Sequence, residues 1–448
     1  MSSAISAMAA RRAARADREA PTSAIDQQVR LLGGLLVADV TLQRLALTLG
    51  GLGQVPLVLL LGLLVAVIGL RRRLLRFDRS RVVLGLAALA AVALASMGSL
   101  LVTRRLFSVP SLIFLVANYV PLLLVVSGGT AAEVGRRVLA VLVRLTTVLA
   151  VLSLLQLAVQ FVGWHQPDIL GSLLPPSVVQ QGFNGSSPFY YGSPYFRSTG
   201  FVSLEPSLCS QVLALGVLAQ LWLRRGSGPL ALLLAGMLTT LAGTGFVIIA
   251  VGLVASALTR SSRVLVRLLP LASVALLVAL ATPLGGLLLA RATEGGGRNT
   301  STGQRFQLPF VILVPGWLSD VGHALVGSGA GASVGLIGRQ VGEVAVLPLA
   351  PLKLVYEYGA LGAVAFLVFL GWCLLQGCRA APLGVGLAVS YVLLTSSLQL
   401  SVLIVLVWVV VCACPRDLGR PVRPPRARLA LRTPLRLAGV SSARSVSA

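Results

Sequence analysis

The chain has 448 residues, of which 56% are hydrophobic and only 11% are charged, and its formal net charge is +24. Typical soluble domains carry about 25% charged residues, so this composition cannot build a water-soluble surface and excludes an ordinary cytosolic enzyme. Apolar runs long enough to cross a bilayer recur along the whole length. The sequence therefore predicts a polytopic membrane protein.

In chain order, the apolar runs predict an all-α membrane helix bundle of about twelve spans. The predicted spans lie near 31–48, 52–70, 82–102, 111–127, 138–162, 206–223, 229–242, 245–259, 268–290, 351–372, 383–397 and 399–414. The stretches 229–259 and 382–414 are each interpreted as a hairpin of two short helices, because one long helix would export a basic cluster. The first span carries Asp39 and Arg44, and its alternative is a position in the membrane interface.

Basic residues separate the predicted spans, and almost all of them are arginine. They cluster at 11–18, 71–81, 224–225, 260–267 and 416–444. Short basic connections are typical of the cytoplasmic side of membrane proteins, so both termini are predicted to be cytoplasmic. Nucleic-acid binding is the alternative reason for such a charge, but no stacking aromatic residues accompany these arginines. Anionic lipid headgroups are a further candidate partner of the C-terminal tail.

This topology divides the chain into tails, helix bundles and two long external loops. The segments are a basic tail 1–30, an N-terminal transmembrane bundle 31–163, an external loop 164–205, central transmembrane helices 206–290, an external loop 291–350 with an amphipathic segment, C-terminal transmembrane helices 351–414 and a basic tail 415–448. The N-terminal tail is interpreted as cytoplasmic rather than as a cleaved signal, because no apolar region directly follows its basic residues. Long loops are usually functional, so any chemistry is expected outside.

Several kinds of site are excluded by missing motifs. The sequence has no Walker-type phosphate loop, no Asp-x-Asp pair and no G-x-S-x-G elbow supported by a strand and turn. His165 and His323 are too isolated for a metal site, so neither a metal nor a cofactor is expected. The five cysteines lie within spans or at their inner ends. They are therefore interpreted as packing residues rather than disulfide partners.

One external segment, 195–211, combines charged residues with the start of a helix. Arg197 and Glu205 lie at the end of the first external loop, and Pro206 opens the next span. Proline suits the first helical turn, and a carboxylate suits the helix N-terminus. One interpretation is a helix cap beside an interfacial arginine. The other is a functional site at the outer membrane face, because ionisable groups are expensive to keep at that depth.

Two later stretches add candidate residues. Arg305 opens an apolar stretch that predicts a short helix lying on the membrane. Gly327 and Gly329 follow in a glycine-rich turn, whose exposed N–H groups would suit an anion; a flexible loop is the alternative. The third stretch, 354–362, leads into a late span, and its two glycines have small-residue helix packing as their alternative role.

Taken together, these stretches resemble the bacterial O-antigen polymerase and ligase superfamily of membrane glycosyltransferases. The matching residues are Arg197, Gly200, Glu205, Pro206 and Ser207, then Arg305, Gly327 and Gly329, and finally Glu357, Gly359, Leu361 and Gly362. Ligases of this superfamily usually carry a His-Asn-like pair where this chain has Pro348 and Leu349. The resemblance therefore favours a Wzy-type polysaccharide polymerase over a ligase.

The resemblance implies a GT-C-like helix bundle in the bacterial cytoplasmic membrane. Such an enzyme polymerises undecaprenyl-diphosphate-linked repeat units into surface polysaccharide at the outer face of that membrane. Arg197 and Arg305 would hold the diphosphate leaving group, because a guanidinium grips phosphate through two hydrogen bonds. Glu205 would act as the base for the acceptor hydroxyl or would only position Arg197. Further substrate-binding candidates are Tyr195, His323, Gly327 and Gly329.

The implied partners are the lipid-linked glycan, the bilayer, a flippase and a chain-length regulator, without nucleic acid. Three alternatives stay open: a ligase that moves finished glycan onto lipid or protein, a transporter or flippase for polysaccharide or lipid, and a structural membrane protein. A transporter predicts charged residues inside the spans. Apart from Asp39, Arg44 and Arg144, the predicted spans are nearly devoid of them.

Overall fold

The computed structural model describes most of the chain between residues 23 and 416. The described ranges are 23–50, 53–103, 107–128, 131–164, 168–183, 185–190, 193–224, 226–259, 303–341, 348–395 and 398–416. The predicted span 268–290, the tail up to residue 22, the tail from residue 417 and His165 lie outside these ranges.

Most of the described residues belong to helices. The helices are α1 at 23–41, α2 (Leu57–Arg71), α3 (Arg79–Thr103), α4 (Val109–Tyr119), α5 (Ala131–Phe161), α6 (Ile169–Leu173), α7 (Pro206–Leu223), α8 (Ser227–Thr239), α9 (Gly243–Thr259), α10 (Leu308–Trp317), α11 (Val321–Val326), α12 (Ala332–Val341), α13 (Ala350–Gly371), α14 (Ala381–Val389) and α15 (Ser401–Ala413). A 3-10 turn extends α4, π-turns extend α13 and α14, and a further π-turn, Gly303–Gln307, precedes α10.

Four of the described helices, namely α3, α5, α7 and α13, are long and apolar enough to cross a membrane, and seven shorter apolar helices accompany them. The mostly helical, membrane-type architecture is therefore confirmed, whereas the count of about twelve spans is not. Both stretches that were predicted as hairpins are split into two helices. α8 ends at Thr239 and α9 begins at Gly243, while α14 and its π-turn end at Leu394, before α15 begins at Ser401.

Short strands are the exception to the all-α prediction. β1 (Ala46–Thr48) pairs with β2 (Gln54–Pro56), and β3 (Leu75–Phe77) pairs with β4 (Leu124–Val126), both antiparallel. The helices within the predicted spans 31–48 and 111–127 are correspondingly short, ending at 41 and at Tyr119. Pro121 follows in the second case, and proline cannot donate the N–H that would continue an α-helix. Hydropathy detected these apolar runs but not the change from helix to strand within them.

The connections between helices gather into two groups at opposite ends of the helices. At one end, here called the loop end, the β1–β2 hairpin bonds to the first long loop through Ala46 N–H and Val178 O (3.0 Å), and Ser108 N–H bonds to Ala330 O (2.9 Å). At the other, here called the arginine end, the β3–β4 pair lies near the turn 377–380, which bonds to the end of α15. This sorting agrees with successive helices that run in alternating directions.

Arg81, in the first turn of α3, ties the arginine end together from inside. It is 2% exposed, although the sequence places it in a basic cytoplasmic connection. Its guanidinium donates to four backbone carbonyls, those of Leu122 (3.3 Å), Leu124 (3.4 Å), Gly377 (3.1 Å) and Val411 (2.9 Å). A guanidinium carries five N–H donors in a fixed plane, so one side chain can join α3, β4, the end of α13 and α15.

The apolar interior consists of one large core that runs through the helices and a small second cluster. The second cluster joins α10, α12 and the start of α13 through Ile312, Leu313, Ile337, Leu352 and Tyr356. All five cysteines are unpaired thiols and are buried. The interpretation of the cysteines as packing residues is therefore confirmed.

Candidate functional site: a buried loop at the start of α7

The segment 193–205 is a folded loop that enters the protein. Its backbone runs beside residues 187–189, with Phe189 N–H donating to Tyr195 O at 2.9 Å and Arg197 N–H donating to Ser187 O at 2.9 Å. Arg197 is 9% exposed, and residues 198–200 are buried as well. Where the sequence predicts an external loop, this part of it therefore lies within the protein, a position that irregular backbone tolerates when its polar groups find partners.

Two glutamines of α5 supply those partners. Gln160 donates to Phe196 O at 3.0 Å and accepts the N–H of the same residue at 2.7 Å. One turn earlier, Gln156 accepts the N–H of Thr199 at 2.8 Å and that of Phe201 at 3.3 Å. The two side-chain amides thus satisfy backbone groups of the loop that a neighbouring strand would otherwise pair with. Sequence reasoning missed them; the available signal was a pair of amides four residues apart, on one face of a helix, inside an apolar run.

The loop turns at two consecutive residues with left-handed backbone, Gly200 (φ +61°) and Phe201 (φ +65°). A β-carbon at Gly200 would lie 2.5 Å from Leu149 Cδ1 and 3.1 Å from Ser153 Oγ. Only glycine fits there, and a positive φ at a bulky phenylalanine is strained. Strain of this kind persists where the surroundings fix the backbone and often accompanies functional segments.

Glu205 ends the loop as the N-cap residue of α7, and Pro206 occupies the first helical position. The predicted helix start is therefore confirmed. Glu205 does not cap through its side chain; instead Ser207 donates its hydroxyl to Glu205 Oε2 at 2.9 Å. The carboxylate is half-buried, at a helix end where the dipole favours negative charge. Glu205 thus combines a fixed backbone with partial access to solvent.

The last turn of α1 and the residues after it contact the same loop. Gln43 accepts the N–H of Leu204 at 3.2 Å. Asp39, in the last turn of α1, is 1% exposed, and its Oδ1 has no hydrogen-bond partner among the described residues. A buried carboxylate in an apolar bundle is costly to maintain. Its burial, four residues before Gln43, makes Asp39 a further candidate residue, which the sequence indicated only as a polar residue in a span.

An ion pair lies next to the residue that contacts this loop. Arg44 forms a two-pronged ion pair with Asp168, including Arg44 Nη2 to Asp168 Oδ2 at 2.6 Å. Arg44 lies beyond the end of α1, not within a membrane span as the hydropathy suggested. Burial alone would raise the pKa of Asp168, but the hydrogen bonds from Arg44 and from Gly171 N–H outweigh it and lower that pKa below its ordinary value. The pair joins α1 to the start of the short helix α6.

The second predicted stretch contains the expected short apolar helix. α10 follows the π-turn that holds Arg305, and it buries Ile312 and Leu313 while Val311 is exposed. The helix is therefore confirmed. The side chain of Arg305 lies outside the described part of the structure, so its approach to Arg197 stays a prediction.

The glycine turn after α11, residues 327–331, packs against α13 and does not present an open anion-binding site. Gly327 N–H donates to His323 O at 2.9 Å, Ser328 N–H to Tyr356 O at 2.8 Å and Gly329 N–H to Glu357 O at 2.9 Å. These three amides are used inside the protein, which contradicts the expectation that they face an anion. Gly327 and Gly329 both have positive φ and no room for a β-carbon. The role of Gly327 and Gly329 in substrate binding stays a prediction.

The carbonyls of Tyr356 and Glu357 are available as acceptors because α13 is broken at Gly359, whose φ is +60° and ψ −172°. A β-carbon there would overlap the carbonyl oxygen of Leu325. Gly362, in contrast, packs against Val92 and Ala95 of α3. The packing interpretation therefore accounts for Gly362, whereas Gly359 is required by the break in the helix.

A buried ionic pair precedes this break. Glu357 is fully buried, accepts a hydrogen bond from Ser333 Oγ at 2.5 Å, and has its Oε1 3.9 Å from Lys353 Nζ. Lys353 also donates to Gln399 Oε1 at 3.4 Å, and Gln399 donates to Ser111 O at 2.7 Å. These contacts connect α12, α13, the turn before α15 and α4. Both charged residues lie at the start of the predicted span 351–372, but the sequence did not indicate that they pair.

His323 contacts its own helix cap. Its Nδ1 lies 2.5 Å from Asp320 Oδ2, and its backbone N–H donates to Asp320 Oδ1 at 2.9 Å. The backbone and side-chain hydrogen bonds from His323 lower the pKa of Asp320. The imidazole is thus oriented by a carboxylate, with Nε2 as its remaining ring nitrogen.

The structure therefore brings together Tyr195, Arg197 and Glu205 on one loop, and His323, Gly327 and Gly329 on a second segment at the same end of the helices. Among the described residues, no three His, Cys, Asp or Glu side chains converge as metal ligands would. The chain matches no protein-family model and no curated protein.

Proposed function

We propose that this chain is a membrane glycosyltransferase that polymerises lipid-diphosphate-linked oligosaccharide repeat units into polysaccharide at the outer face of the bacterial cytoplasmic membrane. The observation that carries the proposal is the buried loop 193–205, which holds Arg197 and Glu205 in a clamped and strained backbone. Catalytic groups need such fixed positions. No nucleotide motif accompanies them, which suits a donor activated by its own diphosphate.

The charges of the two ends support an outward-facing loop end. The arginine end holds Arg71, Arg72, Arg73, Arg76, Arg79, Arg136, Arg137, Arg224, Arg379 and Arg416. At the loop end, the described cations Arg44, Arg197, Arg339 and Lys353 are nearly balanced by the acids Asp39, Asp168, Glu205, Asp320 and Glu357, whereas the arginines of the arginine end outnumber its described acids Asp26, Asp78 and Glu133. Because arginine-rich connections stay in the cytoplasm, the buried loop would face the opposite side, where lipid-linked repeat units are polymerised.

In the proposed reaction, an acceptor sugar hydroxyl attacks the anomeric carbon of the donor glycan. The bond between that carbon and the diphosphate oxygen breaks, and its electron pair leaves with the diphosphate. Glu205 takes the hydroxyl proton. Arg197 and Arg305 stabilise the departing charge; one such contact at about 4 Å is worth on the order of 4 kcal/mol at an effective dielectric near 20.

Replacement of each guanidinium tests the proposal. In a strain that depends on this chain, Arg197→Ala or Arg305→Ala should remove long polysaccharide and leave single lipid-linked repeat units. Arg339→Ala is the matched control, because Arg339 is an exposed arginine of α12. Normal chain length in both site variants, at wild-type protein levels, would refute the function.

A ligase is the second candidate, and the orientation of His323 by Asp320 favours it. A ligase would leave long chains intact on their carrier when His323→Gln or a deletion is introduced, whereas a polymerase defect shortens them. The glycan profile of the deletion strain therefore separates the two enzymes. Loss of long chains, with the lipid-linked unit trapped on the cytoplasmic side, would favour a flippase.

A further inference from the structure

A cavity of about 250 Å³ lies at the arginine end, on the side of the protein opposite the proposed site. It opens where four helix ends meet. Its walls come from the start of α5, the end of α7, the turn before α14 and the residues after α15, and include Ala132, Arg136, Trp222, Arg379 and Pro415. None of these residues belongs to the loop that carries Arg197 and Glu205.

The walls are cationic. Two guanidinium groups, Arg136 and Arg379, line the cavity, and its lining contains no carboxylate among the described residues. Arg136 also contacts Glu133, and Arg137 binds both Glu133 and Asp26 at 2.7 Å, so the three arginines Arg136, Arg137 and Arg379 outnumber these two carboxylates. A guanidinium has five N–H donors, so Arg136 keeps donors beyond this ion pair. The local charge that an entering molecule meets is therefore positive.

Small side chains keep the space open between the two arginines. Ala131 and Ala132 of α5 and Ala380 face it, and Gly135 lies against the end of α15, where a β-carbon would be 2.8 Å from Ala413 O. The first N–H groups of α5 add positive potential on the same wall. Trp222 supplies an aromatic wall of the kind found at membrane–water interfaces.

We infer that this cavity binds a phosphate group, held between the guanidiniums of Arg136 and Arg379. Planar guanidiniums match phosphate oxygens through paired hydrogen bonds, and basic pockets between helix ends at the cytoplasmic face suit acidic lipid headgroups. The phosphate comes either from a soluble anion or from a lipid headgroup, two sources of one chemistry.

The test uses the full chain, purified in neutral detergent or placed in nanodiscs. Its melting midpoint is measured with inorganic phosphate against chloride at equal ionic strength, and in phosphatidylglycerol against phosphatidylcholine discs. The site variant is Arg136→Gln with Arg379→Gln, and the control with equal charge loss is Arg72→Gln with Arg76→Gln, two exposed arginines of the same end. Ala132→Leu fills the space and keeps the charge.

We expect phosphate or phosphatidylglycerol to stabilise the wild type and the control. The site variant should bind the phosphate group at least about tenfold more weakly, and Ala132→Leu should lose the stabilisation too. Stabilisation by inorganic phosphate identifies a soluble anion, whereas stabilisation by phosphatidylglycerol alone identifies a lipid. The inference is overturned if neither stabilises the wild type, or if the site variant responds as the control does.

Discussion

Gln160→Met tests whether the α5 glutamines hold the candidate loop. Methionine keeps the length of the side chain but removes the donor to Phe196 O and the acceptor of Phe196 N–H. A buried backbone group without a partner costs about 1–3 kcal/mol. Because Phe196 is only partly buried, the lower half of that range, about 1–2 kcal/mol, applies to each of the two groups, and the loop should lose roughly 2–4 kcal/mol.

That loss should appear as local opening rather than global unfolding. The sharpest measurement is amide hydrogen exchange or limited proteolysis across residues 193–205 in the purified protein, with the melting midpoint recorded beside it. Opening of the loop should become about 30- to 800-fold more frequent. Polysaccharide chain length should fall in the same variant, because Arg197 is then no longer fixed.

Leu155→Met is the matched control, since Leu155 is 51% exposed on the same helix. Loop exchange identical in Gln160→Met, the control and the wild type would refute the clamp. Global destabilisation without selective opening of the loop would also refute it, because the glutamine would then be holding the bundle and not the segment.

Three further variants test other contacts. Gly359→Ala should lower the melting midpoint sharply, because an alanine at φ +60° is strained by about 1–3 kcal/mol and overlaps Leu325 O. Arg81→Met should destabilise the protein by about 2–4 kcal/mol, seen as a lower melting midpoint, because four carbonyls lose their donor. The pKa of Asp168 is lowered in the folded protein, so the ion pair contributes to stability above the ordinary pKa of Asp168, and this contribution is lost as the pH falls through the lowered pKa. In Asp168→Asn, the melting midpoint should therefore depend less on pH between about pH 5 and pH 3 than it does in the wild type. The same pH profile in both proteins would contradict the role of Arg44.

The sequence was sufficient for features that depend on neighbouring residues. Apolar runs predicted the helices, Pro206 marked the start of α7, and the basic clusters justified splitting 229–259 into two helices. These features depend on hydropathy, backbone geometry and charge within a short window. The packing of one segment against a distant segment cannot be read from such local patterns.

The candidate site was predicted only in part for this reason. Gln156 and Gln160 bind a loop some 36 to 45 residues further along the chain, and no local pattern announces such a contact. The glycine turn was recognised as a turn, but its amides are used by carbonyls of a helix broken at Gly359. Whether an N–H group faces solvent or a carbonyl depends on packing that composition does not report.

The break in α13 has a mechanical consequence for the whole loop end. Ser328 and Gly329 donate to carbonyls that an unbroken helix would have satisfied from its own next turn. If either the turn or α13 moved away alone, these N–H groups and carbonyls would lose their hydrogen-bond partners. The segment between α11 and α12 should therefore stay fixed to α13. Any motion that admits a substrate at the loop end must then come from other segments.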